Sequence, residues 1–277
     1  MSAPHPFRTL ELSDPAIDPR GLRFATVKSA ALRQRADVTL WLPLGADQHS
    51  DLPVAILLHG VYGSHWAWAL NGDAHGTAGR LIEAGAIPPM ALLMPSDGLW
   101  GDGSGYVRHR DQDFEAWIVE ELPALAAAAA PGCSADSPLL LAGLSMGGFA
   151  ALRLAGKHPG RFRAVAAHSA MTELAQYDAL LAESREAWRP DARDASALVA
   201  LESATRLPPL RFDCGRDDAF IEANRALHAA LDARRIAHQY AEHEGGHDWS
   251  YWSRHLEDTL RFFGAALGHT PPTREDA

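Results

Sequence analysis

A five-residue turn with the sequence GLSMG, Gly143–Gly147, separates an apolar run, Leu139–Ala142, from a helix-like stretch, Phe149–Lys157. Glycines two residues before and two residues after Ser145 let a strand and a helix approach each other closely at a sharp turn. Such a turn exposes the serine hydroxyl at the carboxyl edge of a sheet, where open α/β folds place their sites. The pattern predicts an α/β fold with a nucleophilic serine, and the alternative is a glycine-rich turn with an incidental serine.

Short apolar runs alternate with helix-like stretches along most of the chain. Eight runs are candidate strands: Leu22–Val27, Val38–Leu42, Ala55–Leu58, Ala91–Met94, Leu139–Ala142, Ala164–Ala167, Leu210–Phe212 and His238–Ala241. Helical spacing of apolar residues occurs in Asp113–Ala129, Phe220–Arg235 and Tyr251–Leu267. This alternation predicts a mostly parallel eight-stranded sheet flanked by helices on both faces. The first two runs are joined by Lys28–Arg35, which is too short for a crossover helix, so they should form an opening antiparallel hairpin.

The segment 171–209, which ends in Pro208-Pro209, interrupts the alternation with helix-forming composition and no strand. It is either a long crossover or a small helical insertion above the sheet, and we expect a small helical cap that shapes a substrate entrance. The candidate catalytic residues Ser145, Asp218 and His247 follow three different strands, so they can meet only if one sheet carries all three strands. We therefore expect residues 1–277 to form a single α/β domain with this cap inserted in it.

A nucleophilic serine needs a histidine base and an orienting acid, in the chain order serine, acid, histidine for this kind of fold. An acidic loop, with Asp217 and Asp218, follows one late strand, and a Gly-Gly-His sequence with His247 follows the last strand. We predict Asp218 as the acid and His247 as the base. Asp217 is the rival acid, because neighbouring residues at a loop tip point in different directions.

The segment from His243 to His247 also matches the zinc-binding pattern H-E-x-x-H. That site needs both histidines on one face of a helix. Two intervening glycines each cost a helix about 1 kcal/mol, and the segment follows a strand. The zinc hypothesis is therefore much weaker than the serine hypothesis, and we expect no catalytic metal.

Loops at the carboxyl ends of the strands should complete the site. Backbone N–H groups of Val61 and Met146 are the candidate oxyanion donors. The candidate substrate contacts are Tyr62, Trp66, Trp100 and Trp249. These aromatic residues either contact substrate or hold long loops together, whereas Trp252 has the helical spacing of a core residue. The glycine-rich loop Gly101–Tyr106 lacks nucleotide-binding spacing and is expected to be a mobile loop beside the site.

The formal net charge is −10, which argues against nucleic-acid binding and against docking on anionic membranes. No run reaches the roughly 18–20 apolar residues that a membrane span needs. Two cysteines in 277 residues predict reduced thiols, and the N-terminal sequence does not resemble a secretory signal. We therefore expect a cytoplasmic protein with a small-molecule ester as partner and no membrane or nucleic-acid partner. The sequence leaves open whether it forms a homo-oligomer.

Taken together, these residues resemble the putative-esterase branch of the α/β-hydrolases, which includes tributyrin esterase, S-formylglutathione hydrolases (esterase D), feruloyl and acetyl-xylan esterases, and the antigen 85 mycolyltransferases. The resemblance extends from about Arg23 to Phe263. It rests on these motifs: Leu40-Trp41-Leu42-Pro43, Leu58-His59-Gly60, Met94-Pro95, Asp97-Gly98, Glu121-Leu122-Pro123, Gly143–Gly148, Cys214-Gly215 and Gly246-His247-Asp248-Trp249. It implies an α/β-hydrolase fold with a Ser145–Asp218–His247 triad and oxyanion donors at Val61 and Met146.

The expected function is a serine carboxylesterase that hydrolyses small short-chain or aromatic acyl esters through an acyl-enzyme. This chemistry needs neither a metal nor an organic cofactor. Two alternatives stay open. One is an acyltransferase of the mycolyltransferase type, in which an alcohol or sugar replaces water, and the other is a non-catalytic binding protein with a hydrolase fold.

Overall fold

The computed structural model describes residues 7–18 and 20–271. A single nine-stranded sheet forms its centre. In chain order the strands are β1 (Leu10–Leu12), β2 (Leu22–Lys28), β3 (Arg35–Trp41), β4 (Val54–Leu58), β5 (Ala91–Pro95), β6 (Leu139–Leu144), β7 (Ala164–His168), β8 (Leu210–Gly215) and β9 (Gln239–His243). Within those two ranges, no helix is both long enough and apolar enough to span a bilayer. Residues 1–6, on which part of the expectation about a secretory signal rests, lie outside them.

Across the sheet the strand order is β1-β2-β3-β5-β4-β6-β7-β8-β9. The strands β4 to β9 are parallel, and β1, β2 and β3 are antiparallel to their neighbours. The predicted mostly parallel sheet and opening hairpin are confirmed, but the sheet has nine strands instead of eight. The additional strand, β1, has three residues, none of them buried, so it carries no apolar run that could reveal it.

Helices cover both faces of the sheet. They are α1 (Ala67–Leu70), α2 (Ala74–Glu83), α3 (Phe114–Ala116), α4 (Leu122–Ala129), α5 (Met146–Lys157), α6 (Ala197–Glu202), α7 (Ile221–Ala233) and α8 (Trp249–Ala266). Alternate residues of β4 face opposite layers, so Ile56 and Leu58 pack with α4 and α5, whereas Ala55 and Leu57 pack with α2 and α8. Because β5 and β6 lie on opposite sides of β4, the chain reverses its direction of travel there and leaves a crevice at the carboxyl ends of the strands.

The predicted helix Asp113–Ala129 is interrupted by one π-helical turn, Trp117–Glu121. Pro123 has no N–H group, so the carbonyl oxygen of Val119, four residues earlier, lacks its usual helical donor. Arg161 replaces that donor, because its Nε and Nη2 donate to the Val119 oxygen at 3.1 and 2.7 Å. The proline within the helical pattern therefore accounts for the interruption.

The segment 171–209 differs from the expected helical cap. It contains three short 3₁₀ turns and one α-helix, α6. That helix packs beside the sheet against α5 so closely that a Cβ on Gly156 would lie 2.2 Å from the Ala200 oxygen. In the first half of the segment, Leu180 reaches the crevice. The second half of the segment thus contains a crossover helix that leads to β8, whereas the role of the first half as a cap stays a prediction.

A buried cluster of side-chain ion pairs connects this segment to α5. Arg153 and Lys157, one turn apart on α5, both contact Asp194 of the segment and Glu115 before the π turn. Burial alone would raise the pKa of Glu115, but the hydrogen bond to His158 and the two nearby cations hold it well below its ordinary value. The cluster therefore fixes the position of this segment.

Replacing Arg153 with methionine should lower the free energy of unfolding by about 3–5 kcal/mol, because two carboxylates lose a buried partner. Arg193→Met is the matched control. Arg193 pairs with Asp191 at 3.1 Å, but both side chains are nearly half exposed, and such pairs contribute about 0–1 kcal/mol. Urea unfolding followed by circular dichroism measures both variants. Equal losses in the two variants would contradict this role of Arg153.

Candidate active site

The GLSMG turn holds Ser145 in a backbone conformation that few residues adopt, with φ of 51° and ψ of −115°. A Cβ on Gly143 would lie 2.3 Å from the carbonyl carbon of Gly147, and a Cβ on Gly147 would lie 2.5 Å from the Leu58 oxygen. Neither position has room for a side chain, so both glycines are required. The turn places the Ser145 side chain between β6 and the start of α5, at the carboxyl edge of the sheet.

The predicted oxyanion donors lie on the two chain segments that meet at Ser145. Met146 is the first residue of α5, where an N–H group has no partner within the helix. Val61 follows Gly60, and a Cβ on Gly60 would lie 3.2 Å from the Ser145 Cβ, so the loop after β4 contacts the serine turn. Among the described residues, neither N–H group donates to a backbone carbonyl. Both N–H groups are therefore free to bind a ligand, and their catalytic role stays a prediction.

The candidate base, His247, is brought next to the serine by the loop between β9 and α8. Its Nε2 lies 3.0 Å from Ser145 Oγ. The imidazole ring is held edge-on against Phe220 and Trp252, with ring centroids 5.1 and 5.0 Å away. Gly245 has a φ of 124°, a conformation that favours glycine, and the turn there directs the loop back towards Ser145.

The structure distinguishes the two rival acids. Asp218 is buried, and its Oδ2 lies 2.9 Å from His247 Nδ1, while its Oδ1 accepts a hydrogen bond from the Phe220 N–H at 2.8 Å. Asp217 is exposed, and its backbone N–H donates to the Gly245 oxygen at 3.0 Å. Burial alone would raise the pKa of Asp218, but these hydrogen bonds hold it below its ordinary value, so the carboxylate stays charged beside the imidazole.

The geometry around His243 and His247 does not suit the H-E-x-x-H zinc site. Strand β9 ends at His243, and α8 begins only at Trp249, so no helix joins the two histidines. The ring of His243 instead stacks on His255, with centroids 4.0 Å apart. His247 faces Asp218 and Ser145 through both of its ring nitrogens, which leaves neither of them for a metal shared with His243.

Ser169, after the end of β7, is a residue of this site that the sequence reasoning missed. Its backbone has φ of 47°, and it is fully buried. The Ser169 hydroxyl accepts a hydrogen bond from Trp252 Nε1 at 3.1 Å, and it helps to hold the pKa of the Asp218 carboxyl below its ordinary value. Ser169 therefore positions the acid behind the imidazole. A serine directly after an apolar strand was the available signal, but many serines occupy such places.

We expect Ser169→Ala to lower kcat about tenfold with little change in KM, because the hydroxyl helps to stabilise the charged Asp218 carboxylate, and a polar partner of this kind contributes about 1.5 kcal/mol. Steady-state ester hydrolysis measures both constants. Ser253→Ala is the control, since the Ser253 hydroxyl bonds only to the Trp249 carbonyl oxygen. If KM changes and kcat does not, Ser169 contributes to binding and does not position the acid.

An apolar cleft of about 450 Å³ opens beside Ser145 and His247. Three of the predicted substrate contacts, Tyr62, Trp66 and Trp249, line it. Trp252 is largely buried, as expected of a core residue, but it also reaches the cleft wall. This volume and the aromatic walls are typical of a site for a small molecule.

Trp100, the fourth predicted substrate contact, does not line the cleft. It packs edge-on against His109 and Trp188, with centroids 4.8 and 6.3 Å away, and so joins the loop after β5 to the segment 171–209. The sequence-based prediction rested on its place after a strand, which did not reveal that the Trp100 ring packs on other loop residues outside the cleft. Its role is to hold long loops together, as the alternative proposed.

The glycine-rich loop Gly101–Tyr106 lies behind the candidate oxyanion donors. A Cβ on Gly103 would lie 2.7 Å from Met146 Sδ and 3.3 Å from Val61 Cγ1. Asp102 accepts the Tyr62 N–H at its carbonyl oxygen, at 2.8 Å, and the Ala182 N–H at its carboxylate, at 2.7 Å. The loop therefore supports the cleft wall, and its mobility stays a prediction.

A larger hollow, of about 690 Å³, lies elsewhere, between the residues that precede β8 and the start of β9. It is lined mainly by Leu201–Leu210 and by residues 236–239. Ser145 and His247 both line the smaller cleft, so we place the chemistry there.

Comparison with known proteins agrees with this geometry. Residues 29–263 match the family described as Putative esterase. An acetyl esterase from Caldicellulosiruptor saccharolyticus is 25% identical over 232 residues, which cover 76% of this chain and 83% of that protein.

Solved structures with a similar fold include a ferulic acid esterase, with a TM-score of 0.77 and 23% identity, covering 93% of this chain and 98% of that chain. An S-formylglutathione hydrolase from Agrobacterium tumefaciens has a TM-score of 0.72 and 20% identity, and the match covers 95% of this chain and 99% of that chain. Likeness at these identities establishes the fold. The match to the family model covers most of the chain, and we conclude that this protein belongs to the Putative esterase family and has the α/β-hydrolase fold.

Proposed function

We propose that the protein is a serine carboxylesterase that hydrolyses esters of short-chain or aromatic acids through an acyl-enzyme on Ser145. Membership of an esterase family supports carboxylic ester hydrolysis. The observation that carries the mechanism is a continuous hydrogen-bonded chain, with 3.0 Å from Ser145 Oγ to His247 Nε2 and 2.9 Å from His247 Nδ1 to Asp218 Oδ2. This chain ends in an apolar cleft that can hold an ester.

In the first half of the reaction, His247 Nε2 takes the proton of the Ser145 hydroxyl while Oγ attacks the ester carbonyl carbon. Asp218 accepts the Nδ1–H of His247, which keeps the Nε2 lone pair directed at the serine and stabilises the imidazolium. The N–H groups of Val61 and Met146 stabilise the negative charge on the carbonyl oxygen. The alcohol then leaves with the proton from His247, and the acyl group stays on Ser145.

In the second half, His247 takes a proton from water, whose oxygen attacks the acyl carbonyl carbon. The bond to Ser145 breaks, and the serine recovers its proton from His247. The carboxylic acid then leaves the cleft. No step needs a metal or an organic cofactor.

The cleft supports the choice of acyl group. Its volume of about 450 Å³ admits a short chain or one aromatic ring, and its walls are largely aromatic. Tyr62 closes one side, because its hydroxyl donates to the Leu180 carbonyl oxygen at 2.5 Å. The relatives named as acetyl esterase and ferulic acid esterase are consistent with these two classes of acid.

The test is a panel of p-nitrophenyl esters of increasing chain length together with methyl ferulate. We expect acetate, butyrate or ferulate esters to be cleaved faster than long-chain esters. A fluorophosphonate should label Ser145 at one site per chain, as mapped by mass spectrometry. Absence of both labelling and hydrolysis would contradict the proposal and favour a non-catalytic binding protein.

Hydrolysis and acyl transfer are separated by adding acceptor alcohols to the same assay. We expect the free carboxylic acid to remain the main product, because the proposed second step uses water. A transferred ester as the main product would instead identify an acyltransferase.

We also propose a cytoplasmic location. It is supported by the two cysteines, Cys133 and Cys214, which are both free thiols. Free thiols persist in reducing compartments. Fractionation of the source cells tests this part of the proposal.

A further inference from the structure

Two histidines and one aspartate meet where α7 ends and β9 begins. His228 and Asp232 are one turn apart on α7, and His238 directly precedes β9. The chain reverses in a tight turn, in which the Ile236 N–H donates to the Leu231 oxygen at 3.0 Å, so His238 returns alongside the helix. One ligand atom from each of the three side chains lies within 4.8 Å of the other two.

We propose that His228, Asp232 and His238 bind a divalent transition-metal ion, with zinc as the representative ion. Two imidazoles and one carboxylate form a donor set that zinc and its neighbours in the first transition row accept, whereas calcium and magnesium prefer oxygen ligands. Three protein ligands leave a further coordination position for water. The ion would fasten the end of α7 to the start of β9.

His238 is already oriented as a ligand. Its Nδ1 donates to the Ile236 carbonyl oxygen at 2.8 Å, so the lone pair is on Nε2. The side chain is only 2% exposed and its ring stacks on Phe212, with centroids 5.5 Å apart. A hydrogen bond from the second ring nitrogen to a carbonyl is the usual way in which proteins orient a metal-binding histidine.

The distances among the three side chains fit an ion after a small adjustment. His238 Nε2 lies 2.8 Å from His228 Nδ1 and 3.9 Å from Asp232 Oδ1. Ligand atoms of a tetrahedral zinc site lie about 3.3 Å apart, because each bond to nitrogen is about 2.0–2.1 Å long. Asp232 Oδ2 lies 3.6 Å from the other ring nitrogen of His228, Nε2. The side chains of His228 and Asp232 are 37% and 63% exposed, so both can turn to bring the carboxylate to the side of Nδ1.

A proton shared in a hydrogen bond accounts for the short contact between the two histidines. Because Nε2 of His238 carries a lone pair, His228 Nδ1–H must be the donor across the 2.8 Å contact. When an ion binds to both nitrogens, that proton leaves Nδ1 and the second nitrogen of His228, Nε2, carries one instead. Metal binding thus replaces one hydrogen bond by two coordinate bonds.

A second cluster of histidines, formed by His243, His255 and Asp258, is less suitable for a metal. Its two rings are stacked 4.0 Å apart, with an angle of 11° between their planes, so their nitrogen lone pairs lie in nearly parallel planes and do not converge on one point. Arg211 also lies 3.5 Å from Asp258 and places a positive charge beside the carboxylate. In the first cluster the rings of His228 and His238 are inclined by 72°.

The proposed site is separate from the proposed catalytic residues. His238 and the loop that carries His247 lie at opposite ends of β9, a strand of five residues, which spans about 17 Å. Metal binding should therefore raise the thermal stability of the protein without changing the basal rate of ester hydrolysis. The test of this site is accordingly independent of the test of the esterase mechanism.

The experiment uses the tag-free full chain, treated with a chelator and then freed of it. Isothermal titration with ZnCl₂ should give one ion per chain and raise the midpoint of thermal unfolding. His228→Gln and Asp232→Asn should each weaken zinc affinity at least about tenfold, since even loss of an outer-sphere partner costs about 10- to 100-fold. Both residues are partly or largely exposed, so these variants should fold. His49→Gln, which alters an exposed histidine elsewhere, should bind zinc like the unaltered chain.

Three results would overturn the proposal. The first is absence of a one-to-one zinc complex at micromolar concentrations. The second is equal zinc affinity in His228→Gln and the unaltered chain, which would place the ion elsewhere. The third is a preference for Ca²⁺ over Zn²⁺, which would exclude nitrogen ligands.

Discussion

Replacing Ser145 with alanine is expected to lower kcat for p-nitrophenyl acetate hydrolysis by about 10⁴- to 10⁶-fold, because without the hydroxyl no acyl-enzyme forms. The fold should be retained, since the substitution removes only the side-chain oxygen and leaves Cβ and the tight backbone between Gly143 and Gly147 unchanged. The residual rate would come from substrate binding and from the two oxyanion N–H groups. Initial rates at saturating ester concentration measure the effect, with active-site concentration checked by fluorophosphonate labelling of the unaltered enzyme.

The matched control for this variant is Ser64→Ala. Ser64 lies on the neighbouring loop after β4 and is largely buried, but it does not line the cleft. Its substitution should leave kcat within about twofold, the behaviour expected of a site outside the machinery. Near-normal turnover in Ser145→Ala would exclude the proposed nucleophile, whatever the control shows.

Replacing Asp218 with asparagine is expected to lower kcat by about 10³- to 10⁴-fold, whereas Asp217→Asn should change it less than about twofold. The amide of asparagine can donate to His247 Nδ1, which favours the imidazole tautomer with its proton on Nε2. That tautomer presents a proton to Ser145 in place of a lone pair, so the histidine cannot act as base. Asp217 is adjacent in sequence, but it is exposed, whereas Asp218 is buried beside His247.

This pair of variants is a sharp test because each removes one negative charge from the same loop. A general electrostatic effect would reduce both rates alike, whereas the proposed orienting role affects only Asp218. Comparing kcat and the thermal midpoint of the two proteins separates catalysis from stability. The reverse ranking, with Asp217→Asn the more damaged enzyme, would reassign the acid.

Some errors of the sequence reasoning have a common physical origin. Strand β1 escaped prediction because an exposed edge strand of three residues has no apolar alternation to detect. Trp100 was assigned to the cleft because it follows a strand, but its ring packs against His109 and Trp188 instead. In both instances the deciding contact, of β1 with β2 and of Trp100 with Trp188, is one that the local pattern of the segment does not encode.

The strand–helix alternation, the glycines around Ser145 and the chain order of serine, acid and histidine all follow from the sequence alone. Each depends on local sterics or on the periodicity of a single element, and these properties are fully present in the linear chain. The parallel sheet then limits where the loops can meet, which is why the three candidate catalytic residues could be named before their geometry was known.

Only the tertiary structure decided which aspartate faces His247, that Ser169 supports it, and that Tyr62 closes the cleft by bonding to Leu180, 118 positions away. The same holds for His228 and His238, which face each other because a tight turn folds the strand back along the helix. These features depend on how loops of independent sequence pack against one another, and that packing is specified by the whole core.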